Sequence, residues 1–328
     1  MTHPPFGDAA DSENDPAAWG AAAAQTALSK AMRPWPEDRL APSPVGEGPL
    51  SPLPLIRGYR IERRVGQGRM STAYLAEDLE CGGQVVLKIL QRRHSAAQAG
   101  CGPFLSEFSI PAAIRHPHVI RVFDYEFGDN LAYIAMEYLD GGDLRKLVRR
   151  GLSAAEAVVL VRQAASALEE VHRSGAVHRD VKPENLLLRA CGALVLADFG
   201  SAWRRDHPGT VPQPGQLVGT PRYVSPEQAQ GAAVSAAADV YSLGVVFYEM
   251  LCGRTPFPGT TLMEVLSQHL MAPVPRLPDP LRRYQPLLDA MLDKSVVRRL
   301  PDGGAVLAQI DRLEAPGSFV VPESGNYN

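Results

Sequence analysis

The sequence has few cysteines, little imbalance of charge and no long apolar run. Its four cysteines form no Cys-x-x-Cys pair, which argues against a zinc or disulfide framework and predicts reduced thiols in the cytoplasm. A net charge of −3 over 328 residues leaves no basic surface for nucleic acid or lipid headgroups. The longest apolar run, Val240–Leu251, contains Glu249 and is too short to cross a bilayer. We therefore expect a cytoplasmic protein with no membrane span and no nucleic-acid partner.

Composition divides the chain into three parts. Residues 1–56 are rich in Pro and Ala and have little to bury, so we expect this N-terminal segment to be disordered. Residues 57–313 carry regular apolar patterns and should form the folded domain. Residues 314–328 should form a short flexible tail.

Strand patterns come first in the folded part, and helical patterns follow. The predicted strands are Tyr59–Val65, Ala73–Glu77, Gln84–Leu90, Val119–Tyr125 and Ala132–Tyr138. The predicted helices are Ala154–Ser174, Ala236–Leu251, Thr261–His269, Tyr284–Leu292 and Asp302–Leu313. This segregation predicts an α+β fold of two lobes, a small β-rich N-lobe over 57–139 and a larger helical C-lobe over 140–313. The cleft between the lobes is the expected ligand site.

One segment concentrates polar side chains suited to phosphoryl transfer. Asp180, Lys182 and Asn185 lie in one short run, and Asp198 follows thirteen residues after Asn185, at the end of an apolar strand. Asp180 could orient a substrate hydroxyl, and Lys182 could neutralise charge on the transferred group. Asn185 and Asp198 offer oxygen ligands suited to magnesium. The alternative is an ordinary turn with polar caps.

A glycine turn and a lysine within a strand are candidates for nucleotide binding. Gly66-Gln67-Gly68 joins two predicted strands, where glycines let the backbone approach phosphates closely, although most such turns are ordinary hairpins. The strand after the turn argues against a dinucleotide fold, in which a helix follows. Lys88 has apolar neighbours on both sides, so its strand should be buried on both faces and its ammonium needs a partner. Glu107, in a predicted helix, is the candidate partner.

Taken in order, these motifs resemble the eukaryotic-type protein kinase family, and the composition is most similar to its bacterial serine/threonine members. The resemblance covers residues 59–313. The motifs that carry it are Gly66-x-Gly68, Lys88, Glu107, His178-Arg179-Asp180, Asn185, Asp198-Phe199-Gly200, Gly219-Thr220 and Pro226-Glu227. It implies a signalling enzyme that transfers the γ-phosphoryl group of ATP to Ser and Thr hydroxyls of protein substrates. It also implies magnesium, with manganese as an alternative, and a cognate phosphatase as a further partner.

The resemblance implies roles for single residues. The catalytic set would be Asp180, Lys182, Lys88 and Thr220, with Asn185 and Asp198 as metal ligands. ATP would contact Val65, Gly66, Gln67, Gly68, Ala73, Val86, Lys88, Glu107, Met136, Glu137, Leu139, Asp143 and Leu187. In the C-lobe, Asp239 would brace the catalytic loop, and Glu227 would pair with Arg299.

Two departures from the family pattern bear on activity. Pro111 removes a helix hydrogen bond, so we expect the helix around Glu107 to be about two turns long. The pair between Glu107 and Lys88 should then be poorly formed without a ligand. Segment 201–218 carries hydroxyl side chains only at Ser201 and Thr210, and Thr210 is the candidate for loop phosphorylation.

Two other functions stay open at this point. One is a catalytically silent kinase fold that serves as a binding module, which the proline and the hydroxyl-poor loop favour. The other is a small-molecule phosphotransferase, which shares the Asp180, Asn185 and Asp198 arrangement but has no need of the Gly219-Thr220 and Pro226-Glu227 motifs.

Overall fold

The computed structural model describes residues 54–68, 71–91, 101–127, 131–204 and 219–315. Nearly all of the predicted disordered segment 1–56 and of the predicted tail 314–328 lies outside these ranges, as does Thr210. The described chain forms a β-rich N-lobe and a helical C-lobe, so the predicted α+β, two-lobed fold class is confirmed. Among these residues, no helix has both the length and the apolar character that a membrane span requires.

A five-stranded antiparallel sheet builds the N-lobe. Its strands are β1 (Tyr59–Gln67), β2 (Ser71–Asp78), β3 (Gln84–Gln91), β4 (Val122–Phe127) and β5 (Leu131–Glu137), in the spatial order β1-β2-β3-β5-β4. Side chains alternate across a strand, so Leu87 and Ile89 of β3 pack into a core cluster on one face. Leu90, on the other face, packs with Phe108 of the neighbouring helix. The strand that carries Lys88 is therefore packed on both faces over part of its length.

Helix α1 (Cys101–Ala112) packs against β4 and against the Phe199–Ser201 turn of the C-lobe. The prediction of about two turns is wrong, because the helix has 12 residues, or about three turns. Pro111 lies in its last turn, where it removes only the bond to the Glu107 carbonyl. The helix ends one residue later, and Ile114 donates to the Pro111 carbonyl at 3.1 Å. A proline at this place shortens the ladder by one bond without breaking the helix.

Helices dominate the C-lobe. They are α2 (Leu144–Arg150), α3 (Ala154–Arg173), α4 (Pro226–Ala229), α5 (Ala236–Cys252), α6 (Leu262–Met271), α7 (Gln285–Met291) and α8 (Gly303–Glu314). Helix α3 begins at a capping box, in which Ser153 and Glu156 satisfy each other's backbone N–H groups. Helix α5 is buried along nearly its whole length and forms the centre of the lobe.

Two short hairpins position the polar segments. β6 (Ala176–Val177) pairs with β9 (Trp203–Arg204), and β7 (Leu186–Leu188) pairs with β8 (Leu194–Leu196). One polar segment runs from β6 to β7, and the other runs from β8 to β9. Because the flanking strands pair with one another, the two segments lie side by side.

Candidate active site

Three polar side chains converge on the Asp180 carboxylate. The Lys182 ammonium donates to Asp180 Oδ2 at 2.5 Å and to Thr220 Oγ1 at 3.0 Å. The Thr220 hydroxyl donates to Asp180 Oδ1 at 2.9 Å. The Asn185 amide donates to the Asp180 carbonyl at 2.8 Å and to Oδ2 at 3.2 Å. Both carboxylate oxygens are thus held in place, and the structure brings together four residues that the sequence predicted.

A buried carboxylate holds the loop that carries Asp180. Asp239 of α5 is fully buried, and its two oxygens accept the backbone N–H groups of His178 at 2.8 Å and Arg179 at 2.7 Å. Arg179 has a left-handed backbone with φ of 66°, a strained conformation for a residue other than glycine. Burial alone would raise the pKa of Asp239, but the hydrogen bond from His172 and the charges nearby lower it. Charge-assisted bonds to Asp239 offset the backbone strain.

His178 links the loop to the Asp198 segment. Its Nε2 lies 3.1 Å from the Ala197 carbonyl, so Nε2 carries the proton, and Nδ1 accepts the N–H of Asp180 at 3.4 Å. The ring also packs edge-on against the buried Phe199, with centroids 4.8 Å apart. The imidazole therefore fixes the position of Asp198 relative to Asp180.

Lys88 lies between two carboxylates. Its ammonium forms an ion pair with Glu107 of α1 and lies 3.7 Å from Asp198 Oδ1. The expectation of a poorly formed Lys88–Glu107 pair is therefore wrong for this structure, since α1 extends far enough to carry Glu107 to the strand. Burial opposes the charge on Lys88, but Glu107 and Asp198 outweigh it and raise its pKa. Burial also opposes ionisation of Asp198, whose pKa is nonetheless lowered, chiefly by Lys88.

Asp198 and Asn185 have the chemistry of a magnesium site. The Asn185 amide nitrogen is engaged with Asp180, which leaves its Oδ1 as the atom available to a cation. The Asp198 side chain keeps 46% of its surface exposed, and its φ of 61° turns the residue out of the β8 strand direction. Hard oxygen donors of this kind suit magnesium, which usually retains water and phosphate ligands as well. The residues present therefore fit the metal.

The predicted nucleotide-binding residues lie on strands of the N-lobe sheet and on the segments that begin the C-lobe. Gly66 and Ala73 are register partners on β1 and β2, and Val86 is paired with Met136 between β3 and β5. Leu187 lies on β7 of the C-lobe and forms a β-bridge with Asp143. The remaining predicted positions are Val65 and Gln67 on β1, Gly68 just after it, and Glu137, Leu139 and Asp143 at the end of β5 and in the segment that follows.

Two of these residues form side-chain contacts that the sequence did not predict. The Asp143 side chain caps α2, where it accepts the N–H of Lys146 at 2.9 Å. The Glu137 side chain pairs with Arg189 through two contacts of 2.7 and 3.0 Å. The Glu137 backbone N–H also donates to the Arg121 carbonyl at 2.9 Å. These contacts leave the Glu137 carbonyl and the second oxygen of Asp143 as the groups that a nucleotide could meet.

A network around Arg145 was missed entirely. Arg145 of α2 bonds Glu184 at 2.8 Å and Glu249 at 2.6 Å, and it also bonds the Tyr223 hydroxyl. Tyr223 in turn donates to Glu249 at 2.8 Å. The one available signal was Glu249, an acidic residue within the most apolar stretch of the sequence, which required a buried partner.

The predicted ion pair between Glu227 and Arg299 is present. Two contacts of 2.7 and 3.0 Å join the groups, and the Arg299 side chain is fully buried. The pair fastens α4, which follows the Thr220 segment, to the chain between α7 and α8. It thereby anchors that segment to the helical core.

Comparisons with known proteins agree with this arrangement. The family model described as protein kinase domain matches residues 59–303. The chain is 38% identical to the serine/threonine-protein kinase PknA of Corynebacterium glutamicum, over 78% of this chain and 56% of that protein. It is 35% identical to PknA of Mycobacterium tuberculosis, over 75% of this chain and 59% of that protein. It is 31% identical to the serine/threonine-protein kinase PrkC of Bacillus subtilis, over 73% of this chain and 37% of that protein.

The chain belongs to the protein kinase family, as the motifs predicted, and its relatives are bacterial serine/threonine kinases. Members of this family use ATP and Mg²⁺. The chain spans between one half and three fifths of the length of the first relatives that it matches.

Proposed function

We propose that this chain is an ATP-dependent protein serine/threonine kinase in bacterial signalling. It transfers the γ-phosphoryl group of ATP to Ser or Thr hydroxyls of other proteins. The proposal includes a catalytic domain over residues 57–313, a location in the cytoplasm and a cognate phosphatase that reverses the modification. The observation that carries it is the convergence of Lys182, Asn185 and Thr220 on the carboxylate of Asp180.

Asp180 is proposed to orient the acceptor. Its carboxylate accepts a hydrogen bond from the substrate hydroxyl and receives the proton as the oxygen attacks phosphorus. The new bond forms between the hydroxyl oxygen and phosphorus, while the bond from phosphorus to the β-phosphate oxygen breaks. Thr220 and Lys182 hold both oxygens of Asp180, so the carboxylate is already oriented before a substrate arrives.

Two cations of the chain are proposed to stabilise the phosphates. Lys182, 2.5 Å from Asp180, is close enough to the acceptor position to offset charge on the transferred group. Lys88 contacts phosphates nearer the base, and Glu107 holds its ammonium in place. Such fixed charges stabilise developing negative charge without reorganisation of solvent.

Asn185 and Asp198 are proposed to hold magnesium through Oδ1 and the carboxylate. Magnesium, when bound, offsets the charge of the phosphate oxygens. The lowered pKa of Asp198 keeps its carboxylate ionised at neutral pH, as a metal ligand requires. The adenine is proposed to lie between Val65, Ala73 and Val86 above and Leu187 below, next to Met136.

Protein acceptors are supported by the segment after Gly219. Thr220 bonds both Asp180 and Lys182, so the chain beside the acceptor position is itself fixed. Glu227 and Arg299 anchor the helix that follows. A surface built in this way suits a polypeptide laid along it, whereas a small molecule needs no such extended support.

Transfer of radiolabelled phosphate from ATP to Ser, Thr and Tyr peptides and to a generic protein substrate tests the proposal. The wild-type chain should label Ser and Thr acceptors and the Asp180→Ala variant should not, while Asp279→Asn, an exposed aspartate elsewhere in the C-lobe, should behave as wild type. Nucleotide binding without any transfer would favour the silent binding module. Labelling of sugars or antibiotics, but of no protein, would favour the small-molecule phosphotransferase.

A further inference from the structure

A cavity of about 610 Å³ lies beside the candidate active site. It opens between α2, the Pro183–Asn185 turn, the chain after Thr220 and the end of α5. Its charged lining consists of Arg145, Arg149, Arg150, Arg222, Glu184 and Glu249. Four arginines therefore face two glutamates.

Both glutamates of the cavity are already engaged. Arg145 bonds Glu184 at 2.8 Å and Glu249 at 2.6 Å, and the Tyr223 hydroxyl donates to the other oxygen of Glu249 at 2.8 Å. The Arg145 and Glu249 side chains are only 18% and 8% exposed, whereas Glu184 keeps 46% of its side-chain surface exposed. A cationic side chain entering the cavity would have to compete with Arg145 for both carboxylates.

Three arginines of the cavity are not neutralised in this way. Arg149, Arg150 and Arg222 are exposed. None lies within ion-pair distance of an acidic group in the described ranges, although the charge of Arg150 contributes to the lowered pKa of Glu156, after the hydrogen bonds from Ser153. Arg149 and Arg150 lie in the last turn of α2, where positive charge stabilises the helix end. Arg222 belongs to a different segment, so this effect does not account for its charge. The cavity thus carries an excess of positive charge from two separate parts of the chain.

The cavity lies where the flank of a substrate must pass. Arg222 follows Thr220 by two residues, at most about 7 Å of extended chain, and Thr220 bonds Asp180. Glu184 belongs to the same short run as Asp180. An extended polypeptide advances about 3.3 Å per residue, so a residue within a few positions of the acceptor reaches the cavity.

We propose that this cavity binds the carboxylate of a Glu or Asp that flanks the phosphoacceptor, so that the chain selects acidic polypeptide substrates. The inference rests on the proposed function, because the acceptor position at Asp180 sets the distance to the cavity. Arg149, Arg150 and Arg222 act as the specificity-determining residues. Arg145 acts as a positioning residue that keeps Glu184 and Glu249 from repelling the substrate.

Peptides with a single Thr, in which Glu, Gln or Arg occupies each flanking position in turn, test this inference. At one or two positions, wild-type kcat/KM should be about fivefold to tenfold higher for Glu than for Gln, as expected for several exposed charge contacts. The preference should shrink at high salt, which screens exposed charges. Arg149→Gln/Arg150→Gln and Arg222→Gln should each reduce it to about twofold or less. Arg276→Gln/Arg283→Gln removes two charges outside the cavity, as many as the Arg149→Gln/Arg150→Gln variant removes within it, and should leave the preference intact.

Fluorescence anisotropy of the same labelled peptides on the wild-type chain separates this inference from the proposed function. Tighter binding of the Glu peptide without any transfer would sink the kinase proposal and leave the acidic preference standing. Transfer at equal rates to Glu and Gln peptides would overturn the inference alone. A preference for Arg, or an acidic preference that survives in both cavity variants, would also overturn it.

Discussion

The Thr220 hydroxyl donates a 2.9 Å hydrogen bond to Asp180 Oδ1, although the two residues are 40 positions apart in the chain. The same hydroxyl accepts the Lys182 ammonium at 3.0 Å. One side chain thus ties the segment after Gly219 to the loop that carries the proposed acceptor-orienting carboxylate. Interactions that set the orientation of Asp180 should affect turnover more than they affect stability.

Replacement of Thr220 by valine tests this link. Thr220→Val keeps the shape of the side chain but leaves Asp180 and Lys182 without their shared partner. Loss of one charge-assisted bond is worth 1.5–3 kcal/mol, so we expect kcat to fall by about tenfold or more. Thr220→Ser keeps the hydroxyl and should retain most of the activity in the same peptide assay. Equal activities of the valine and serine variants would show that the bond has no role in turnover.

Gly219 permits the close approach of the two segments. Its φ is +109°, and an added Cβ would lie 3.0 Å from the Arg179 carbonyl oxygen. Gly219→Ala should therefore destabilise the fold by about 1–2 kcal/mol and also displace Thr220 from Asp180, with a large loss of kcat. Gly175→Ala is the matched control, because φ is +79° there but no atom lies within 4 Å of the added Cβ. Similar loss of stability in both variants, with loss of activity only in Gly219→Ala, is the expected pattern in urea denaturation and peptide assays.

The buried pair of Glu227 and Arg299 should contribute strongly to stability. Arg299→Met leaves a buried carboxylate without its cation, which costs about 3–5 kcal/mol. Denaturant unfolding should show this loss, and the double variant Glu227→Gln/Arg299→Met should be less destabilised than the sum of the single changes. Arg282→Met, which breaks an exposed pair with Asp279, should leave the midpoint nearly unchanged. Additive effects of the two buried changes would contradict a direct coupling.

Lys294 should make stability depend on pH. Burial lowers its pKa to about 7, with Arg299 adding to the effect, whereas an unfolded lysine titrates near 10.4. Between these values the unfolded chain binds a proton that the folded chain does not, so stability rises with pH. The neighbouring groups are Arg299, Asp293, Phe257 and Tyr241.

Between pH 7 and pH 9, we expect the free energy of unfolding of the wild type to rise by roughly 1 kcal/mol more than that of Lys294→Met. This figure allows for partial exposure of the Lys294 side chain. Urea denaturation at several pH values measures this difference. Lys146→Met, which removes an exposed lysine from α2, should follow the wild-type slope. Parallel pH profiles for the wild type and Lys294→Met would show that Lys294 stays charged in the folded chain.

Long periodic segments were predictable from the sequence because burial imposes their pattern. The helix predicted at Ala154–Ser174 lies at Ala154–Arg173. The strand predicted at Gln84–Leu90 is one residue longer and ends at Gln91. The apolar run before Asp198 predicted β8, but β6, β7 and β9 were missed because two or three residues do not show a period. Pro111 misled the prediction of α1, since the cost of a proline depends on its place in the helix and not on its presence alone.

Some polar residues of the candidate site were likewise predictable from the sequence, and others were not. Asp180, Asn185 and Asp198 were found because their order and spacing are characteristic, and the structure brings them to one place. Arg145 lies in an ordinary basic helix, and nothing in the sequence shows that it reaches Glu184 and Glu249. Contacts of this kind depend on which helix faces which loop, and that is decided by tertiary packing.

Calorimetric titration of ATP into three forms of the chain, with and without magnesium, tests the central claim most directly when combined with phosphate transfer by the same samples. The wild type should bind ATP more tightly with magnesium and should transfer phosphate. Asp198→Asn should lose both the magnesium-dependent gain in affinity and the transfer. Asp180→Asn should keep the magnesium-dependent binding and lose transfer by about 10²–10⁴-fold. Undiminished transfer by either variant, or the same magnesium dependence in Asp198→Asn as in the wild type, would contradict the account.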